Sequence, residues 1–150
     1  MKQIIYSILQ YRHSLLREEK FNIGITFYFP EIDNKIIFYT SPKIEILKGI
    51  YPNIDYKTLI LHINYITSNI NNNKIHPHLD LAIDLSFKLF LKQFVLLEDS
   101  TVLQFSDPVI ISNPNSTKPE EILKNYINIL LSFNDSVGVN QLQSILTLNN

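Results

Sequence analysis

Between Phe21 and Phe29 the chain alternates without a break, with Phe21, Ile23, Ile25, Phe27 and Phe29 on one set of positions and Asn22, Gly24, Thr26 and Tyr28 on the other. A period of two is the spacing of a β-strand, whose successive side chains point to opposite faces. Pro30 ends the run, Asp33-Asn34 supplies turn chemistry, and Lys35 to Thr40 returns as a further β-type segment. The arrangement specifies an antiparallel hairpin whose apolar face needs a covering layer. Upstream, Gln3 to Tyr11 mixes Ile and Tyr with polar residues and is expected as the first strand.

Helical patterns can supply the cover. After Asp55, an N-cap residue type, Leu59, Ile63, Ile66 and Ile70 recur at helical spacing. Leu79 to Leu97 is longer and apolar on more than one face, which predicts a central helix that gives way to strand before Glu98. Thr101 to Phe105 and Val109 to Ile111 are short β-type runs on either side of Asp107-Pro108. Thr117, Pro119 and Glu120 fit a capped helix start, followed by the stripe Ile122, Leu123, Tyr126, Ile127, Leu130 and Phe133. Asn134-Asp135-Ser136 is expected to end that helix, and residues 137–150 read as a docked final element or a frayed tail. Ser14 to Lys20 reads as one helical turn in a connection. The expected fold is α+β, a largely antiparallel sheet with helices packed on one face, built as one domain over residues 1–150.

Composition narrows the function classes. With 45% hydrophobic and 18% charged residues the chain has the makings of a folded core. Thirteen Lys+Arg against fourteen Asp+Glu leave a net charge of -1, so no global field attracts nucleic acid. The absence of Cys removes disulfides, thiolate nucleophiles and thiolate metal sites, and fits a cytoplasmic location. The amino-terminal apolar run is broken by Gln10 and Arg12, against a signal peptide, and Asp80, Asp84, Lys88 and Lys92 disfavour a membrane span over 79–97. Glycine occurs only at Gly24, Gly49 and Gly138, so neither the P-loop nor the dinucleotide-binding turn can be written.

Polar candidates remain. His76-Pro77-His78 with Asp80 groups three possible metal ligands, but no second ligand cluster accompanies them, and a helix-entry loop is the plainer reading. His62 lies off the apolar stripe of its helix and reads as a surface side chain. The stretch Arg12 to Glu19, with His13, Arg17 and Glu18, is the first place to look for a polar site. Arg holds carboxylates or phosphates with paired hydrogen bonds, and Glu can accept a proton or orient an Arg. Its plainer alternative is a solvated charged connection.

The segments Tyr6-Ser7-Ile8-Leu9-Gln10-Tyr11 and Arg17-Glu18-Glu19-Lys20-Phe21-Asn22-Ile23-Gly24-Ile25 resemble the opening of a bacterial family known as domain of unknown function 3037. Arg17, Glu19, Asn22 and Gly24 match its pattern, whereas Gln10 stands for an Arg and Glu18 for a Gly. Phe105-Ser106-Asp107-Pro108 and the helix start Pro119-Glu120-Glu121 are similar to its second half. The resemblance implies a small accessory or antitoxin-like protein, since members are encoded beside HipA-like kinases, and it carries no activity or cofactor.

Arg12, Arg17, Glu19 and Asn22 are therefore the candidate residues for binding a partner or an anion. In one reading Asn22 and Gly24 fix a bulge or a close backbone approach while Arg17 and Glu19 tie the connection to the sheet. In the other they line a groove for a partner segment. The structural reading is favoured because no other acid–base pair completes a site. The leading expectation is a non-enzymatic interaction or regulatory module with a protein partner, possible partners including a HipA-like kinase. The alternative is a small hydrolase or nuclease using Glu19 with a histidine, and a homo-oligomer that completes its apolar faces by self-association is the third.

Overall fold

The expected hairpin is the centre of the molecule. The computed structural model describes residues 3–13, 19–96, 102–112 and 119–131, the side chains of 119 and 120 excepted. In chain order these form strands β1 (Gln3–Tyr11), β2 (Phe21–Phe29) and β3 (Lys35–Thr40), helices α1 (Ile46–Ile50), α2 (Tyr56–Asn72) and α3 (Ile83–Phe90), and a π-helical turn (Leu91–Val95). Strands β4 (Leu103–Phe105) and β5 (Val109–Ser112) and helix α4 (Pro119–Leu130) follow. Every strand pairing is antiparallel, in the order β3-β2-β1-β4, with β5 paired to the other end of β1. The fold is α+β, as the alternation and helical stripes require. No helix among the described residues is long and apolar enough to cross a membrane.

The hairpin turn uses Asp33 and Asn34 at φ of 52° and 54°, a left-handed conformation that Asp and Asn tolerate better than bulkier residues. Asn34 also accepts a hydrogen bond of 2.6 Å from the hydroxyl of buried Tyr28. At the other end of the hairpin, Leu9 pairs with Gly24 but Gln10 pairs with Asn22, so Ile23 is an extra residue and a β-bulge. The bulge reverses the alternation. Ile23 and Phe21 leave the face of Ile25, Phe27 and Phe29 and join that of Tyr28, Leu9 and Tyr11. The period-of-two reading, which put all five odd residues together, is corrected at this point. Gly24 lies beside the bulge with no room for a side chain: a Cβ there would stand 2.9 Å from the Phe38 ring and 3.1 Å from the Tyr39 carbonyl oxygen.

Both faces of the sheet are covered. On the first, Ile5, Leu9, Tyr11, Ile23 and Tyr28 pack under α1, α2, α3 and the π-helical turn, through Leu47, Leu59, Ile63, Ile66, Phe87 and Leu91 among others. On the second, Ile4, Tyr6, Ile25, Phe27 and Phe29 pack under α4 through Ile122, Leu123, Ile127 and Leu131. The helices up to the π-helical turn thus share one face as expected. The last helix takes the other, because β1 and β2 make that face equally apolar and it too must leave water. Its expected cap at Thr117, its expected end at 134–136 and the segment 137–150 lie outside the described residues.

Asp55 caps α2 by accepting from the Thr58 backbone N–H at 3.1 Å. The apolar segment 79–97 is shorter as a helix than expected. His76 to Ala82 form an exposed connection, Leu79 is fully exposed, and α3 starts at Ile83 after Ala82 in extended backbone. The segment ends in the π-helical turn, whose Leu96 N–H donates to the Leu91 carbonyl five residues back. The wider turn brings Val95 inward, 1% exposed, and leaves Phe94 52% exposed. Leu96 is extended but belongs to no strand.

Candidate functional site

Of the candidate binding residues, Arg12, Glu19 and Asn22 are described, and no hydrogen bond or ion pair joins them to one another. Arg12 continues the β1–β4 ladder by donating its backbone N–H to the Val102 carbonyl at 2.7 Å. Its Nε is buried without a hydrogen-bond partner among the described residues. Asn22 accepts from the Gln10 side chain at 3.2 Å across the bulge, and this pair alternates with Tyr11 and Phe21, which face the first layer of helices. Arg17 and Glu18 lie outside the described residues. Glu19 is exposed and makes neither a hydrogen bond nor an ion pair with Arg12.

Glu19 instead meets a residue that sequence reading passed over. Its Oε2 accepts a hydrogen bond of 2.7 Å from the Tyr51 hydroxyl. Tyr51 is placed by α1: it follows the helix directly, and its backbone N–H donates to the Leu47 carbonyl at 2.8 Å. The short helix forms because Ile44, Leu47 and Tyr51 are spaced to share one face, and all three are buried against the sheet. In the sequence this helix leaves only the trace of that spacing between Pro42 and Pro52, too short a run to mark a helix or its tyrosine.

His13 completes the group. Its ring stacks on Tyr51 at 4.1 Å with 10° between the planes, and its Nδ1 lies 2.8 Å from the Tyr11 hydroxyl in a hydrogen bond. Phe21 closes the other side of Tyr51, edge-on at 5.9 Å. Burial pushes the Tyr11 phenol up from its ordinary range, so it remains a neutral hydrogen-bonding group through physiological pH. The last strand turn of β1, the entrance to β2 and the end of α1 therefore build a supported platform. Buried Tyr11 and Tyr51 lie beneath, and the exposed imidazole of His13 and carboxylate of Glu19 lie above.

Chemically, this platform can accept a hydrogen bond or a cation at Glu19 and present an aromatic face at His13. Glu19 and a histidine do converge, as the hydrolase alternative required, but on an exposed surface rather than around an enclosed nucleophile. His76, His78 and Asp80 are exposed in the connection between α2 and α3, and His62 is exposed on α2. Among the described residues no three His, Asp or Glu are grouped to hold a metal ion. Comparison of the chain with family models, with curated proteins and with solved structures yields no match.

Proposed function

We propose that this protein is a binding module that regulates a protein partner without a chemical step of its own, and that the Tyr51 platform is its docking surface. The observation that carries this reading is the rigid presentation of two exposed polar groups. Glu19 is held by the Tyr51 hydroxyl and His13 by stacking and by Tyr11. Ordering these side chains before a partner arrives lowers the entropy lost on binding. A basic or amide-bearing segment suits the carboxylate, and a flat guanidinium or aromatic group suits the imidazole face. The likeness of residues 6–25 to family 3037 points to a HipA-like kinase as that partner and to an accessory, antitoxin-like role in the cytoplasm.

The test is co-purification of the full chain with the product of its neighbouring gene. Glu19→Lys should abolish the complex while the far-ultraviolet circular dichroism stays that of the parent. A complex that survives Glu19→Lys in a folded protein would show that the platform is not the docking surface. Arg17→Glu extends the test to the matched residue two positions before Glu19.

One observation favours a second reading, a small hydrolase or nuclease: Glu19 and His13 both engage Tyr51. In that case turnover of phosphoester or ester substrates should vanish in Glu19→Gln and His13→Ala. An inactive parent protein across both substrate classes removes it.

A further inference from the structure

We propose that β3 is the seam at which two copies of this chain join, edge to edge, into one continuous antiparallel sheet. The proposal is independent of the Tyr51 platform and begins with the phase of the β2–β3 ladder. Ser41 donates its N–H to the Ile23 carbonyl at 2.7 Å, and the register runs Ile25 with Tyr39, Phe27 with Ile37 and Phe29 with Lys35. In an antiparallel ladder the hydrogen-bonded pairs alternate. The odd residues of β3 therefore turn their backbone groups to β2, and Ile36, Phe38 and Thr40 turn theirs outward. Among the described residues, no segment other than β2 offers a backbone partner to Ile36 through Thr40.

An open edge of this kind is ordinarily blunted by a charge, a proline or a bulge. Ile36, Ile37, Phe38, Tyr39 and Thr40 include none of these: the register with β2 is unbroken, and the one charge, Lys35, sits at the strand's end. All five side chains are half-buried, so on each side of the sheet they have apolar surface left to cover.

The other edge of the sheet is built differently. Opposite Ile8 the pairing passes from β4 to β5 through Ser106, whose N–H donates to the Ile8 carbonyl at 2.8 Å and whose Oγ accepts the Ile8 N–H at 2.9 Å. Next to it stand Pro108, which has no N–H, and Asp107, 85% exposed and bridged to Lys88 at 2.7 Å. This edge carries both a charge and a proline.

A second copy fits the open edge because an antiparallel pair of identical strands is complementary to itself. The register that uses every outward group sets Phe38 against the partner's Phe38 and Ile36 against the partner's Thr40. Three residues on each of two chains give six N–H···O=C bonds. Lys35 falls opposite the partner's Ser41, so no like charges meet. Once the two β3 edges are joined, the remaining edges are the interrupted ones, and growth stops at two copies.

Sedimentation of the full chain over a range of concentrations should show a reversible monomer–dimer equilibrium. Thr40→Pro removes an outward N–H while leaving the bonds to β2, and should weaken association by at least about tenfold, since each dimer loses two hydrogen bonds. Hydrogen exchange on the unmodified chain gives the second measurement. The amides of Ile36, Phe38 and Thr40 should gain protection as concentration rises, while those of Ile37 and Tyr39 are protected throughout. A chain that stays monomeric at the highest concentration reached overturns the proposal. So does protection of the outward amides that is independent of concentration, a dimer that leaves them unprotected, or open-ended aggregation.

Discussion

Both faces of the sheet are covered, and the covers differ. The first, under α1 to α3, buries Ser7 and Thr26 along with its apolar residues, and Thr26 Oγ1 has no hydrogen-bond partner among the described residues. It also ends in the Tyr11 and Tyr51 platform. The second, under α4, sets Tyr6 beside Phe27 at 6.3 Å and Tyr126 at 5.1 Å, and it too has polar members: the Gln10–Asn22 pair, and on α4 the Asn128 Oδ1, buried without a hydrogen-bond partner among the described residues. Three helical elements and a π-helical turn share the first face, whereas one helix covers the second. The difference teaches that the faces differ in redundancy of cover rather than in polarity: a misfit in one element of the first layer is buffered by its neighbours, and a misfit in α4 is not.

Removing one large side chain from each face tests that contrast. Phe87→Ala empties the space against which Tyr28 stacks at 5.2 Å, and should cost about 3–5 kcal/mol in global unfolding by urea. Ile127→Ala on the second face should cost about 2–5 kcal/mol, with hydrogen exchange accelerated first in α4 rather than across the sheet. Equal acceleration in α2 and α4 would break the comparison.

Gly24→Val acts beside the bulge, on the first face. The added carbons meet the Phe38 ring and the Tyr39 carbonyl, and the expected loss is about 1–3 kcal/mol by the same urea measurement. Tyr51→Phe deletes the hydroxyl that holds Glu19 and should cost about 0.5–1.5 kcal/mol, leaving the Tyr51 ring in place under His13.

Alkali should act on both faces, since burial raises the Tyr6 phenol on the second as well, but the large shift is on the first. Burial pushes the Tyr28 phenol up to about 12, so the folded chain holds that proton where the unfolded chain releases it. The stability this group contributes is full below pH 10, the ordinary phenol value, and falls as pH rises toward about 12. Alkaline titration monitored by circular dichroism should show that decline, and Tyr28→Phe should lessen it, leaving the part due to Tyr6, Tyr11 and Tyr56, whose phenols burial also raises. The smallest effect is expected at the exposed cap Asp55, whose carboxyl is held below its ordinary range by the Thr58 hydroxyl and backbone N–H. Its contribution is present above the ordinary carboxyl range and is lost as pH falls through the lowered value; Asp55→Asn should remove that acid dependence.

The regular parts of this fold were legible because they repeat. β1, β2 and β3 are found over Gln3–Tyr11, Phe21–Phe29 and Lys35–Thr40 as the alternation marked them, and Asp55 caps α2 where the apolar stripe begins. What escaped was non-periodic. One bulged residue at Ile23 moved Phe21 across the sheet, and no pattern of apolar positions encodes such an insertion. The π-helical turn and the short α1 were likewise hidden, the first because its winding departs from 3.6 residues per turn, the second because five residues offer too little periodicity. Of the candidate site, Glu19 was legible from its residue type and its place before β2. Its partner Tyr51 was not, because the contact spans 32 residues and depends on α1. Arg12 and Glu19 lie seven residues apart, and no hydrogen bond or ion pair joins them.

The π-helical turn has an evolutionary corollary. By winding one residue more slowly over Leu91–Val95, it allows a slender valine to slot into the core and a bulky phenylalanine to swing out beside Phe90, 5.7 Å away. Ordinary α-helical winding of the same residues, with none removed, would carry Phe94 to the place Val95 holds, forcing an aromatic ring into a valine-sized space. The wide winding and the extra residue it accommodates are therefore matched, and the one can be lost only together with the other.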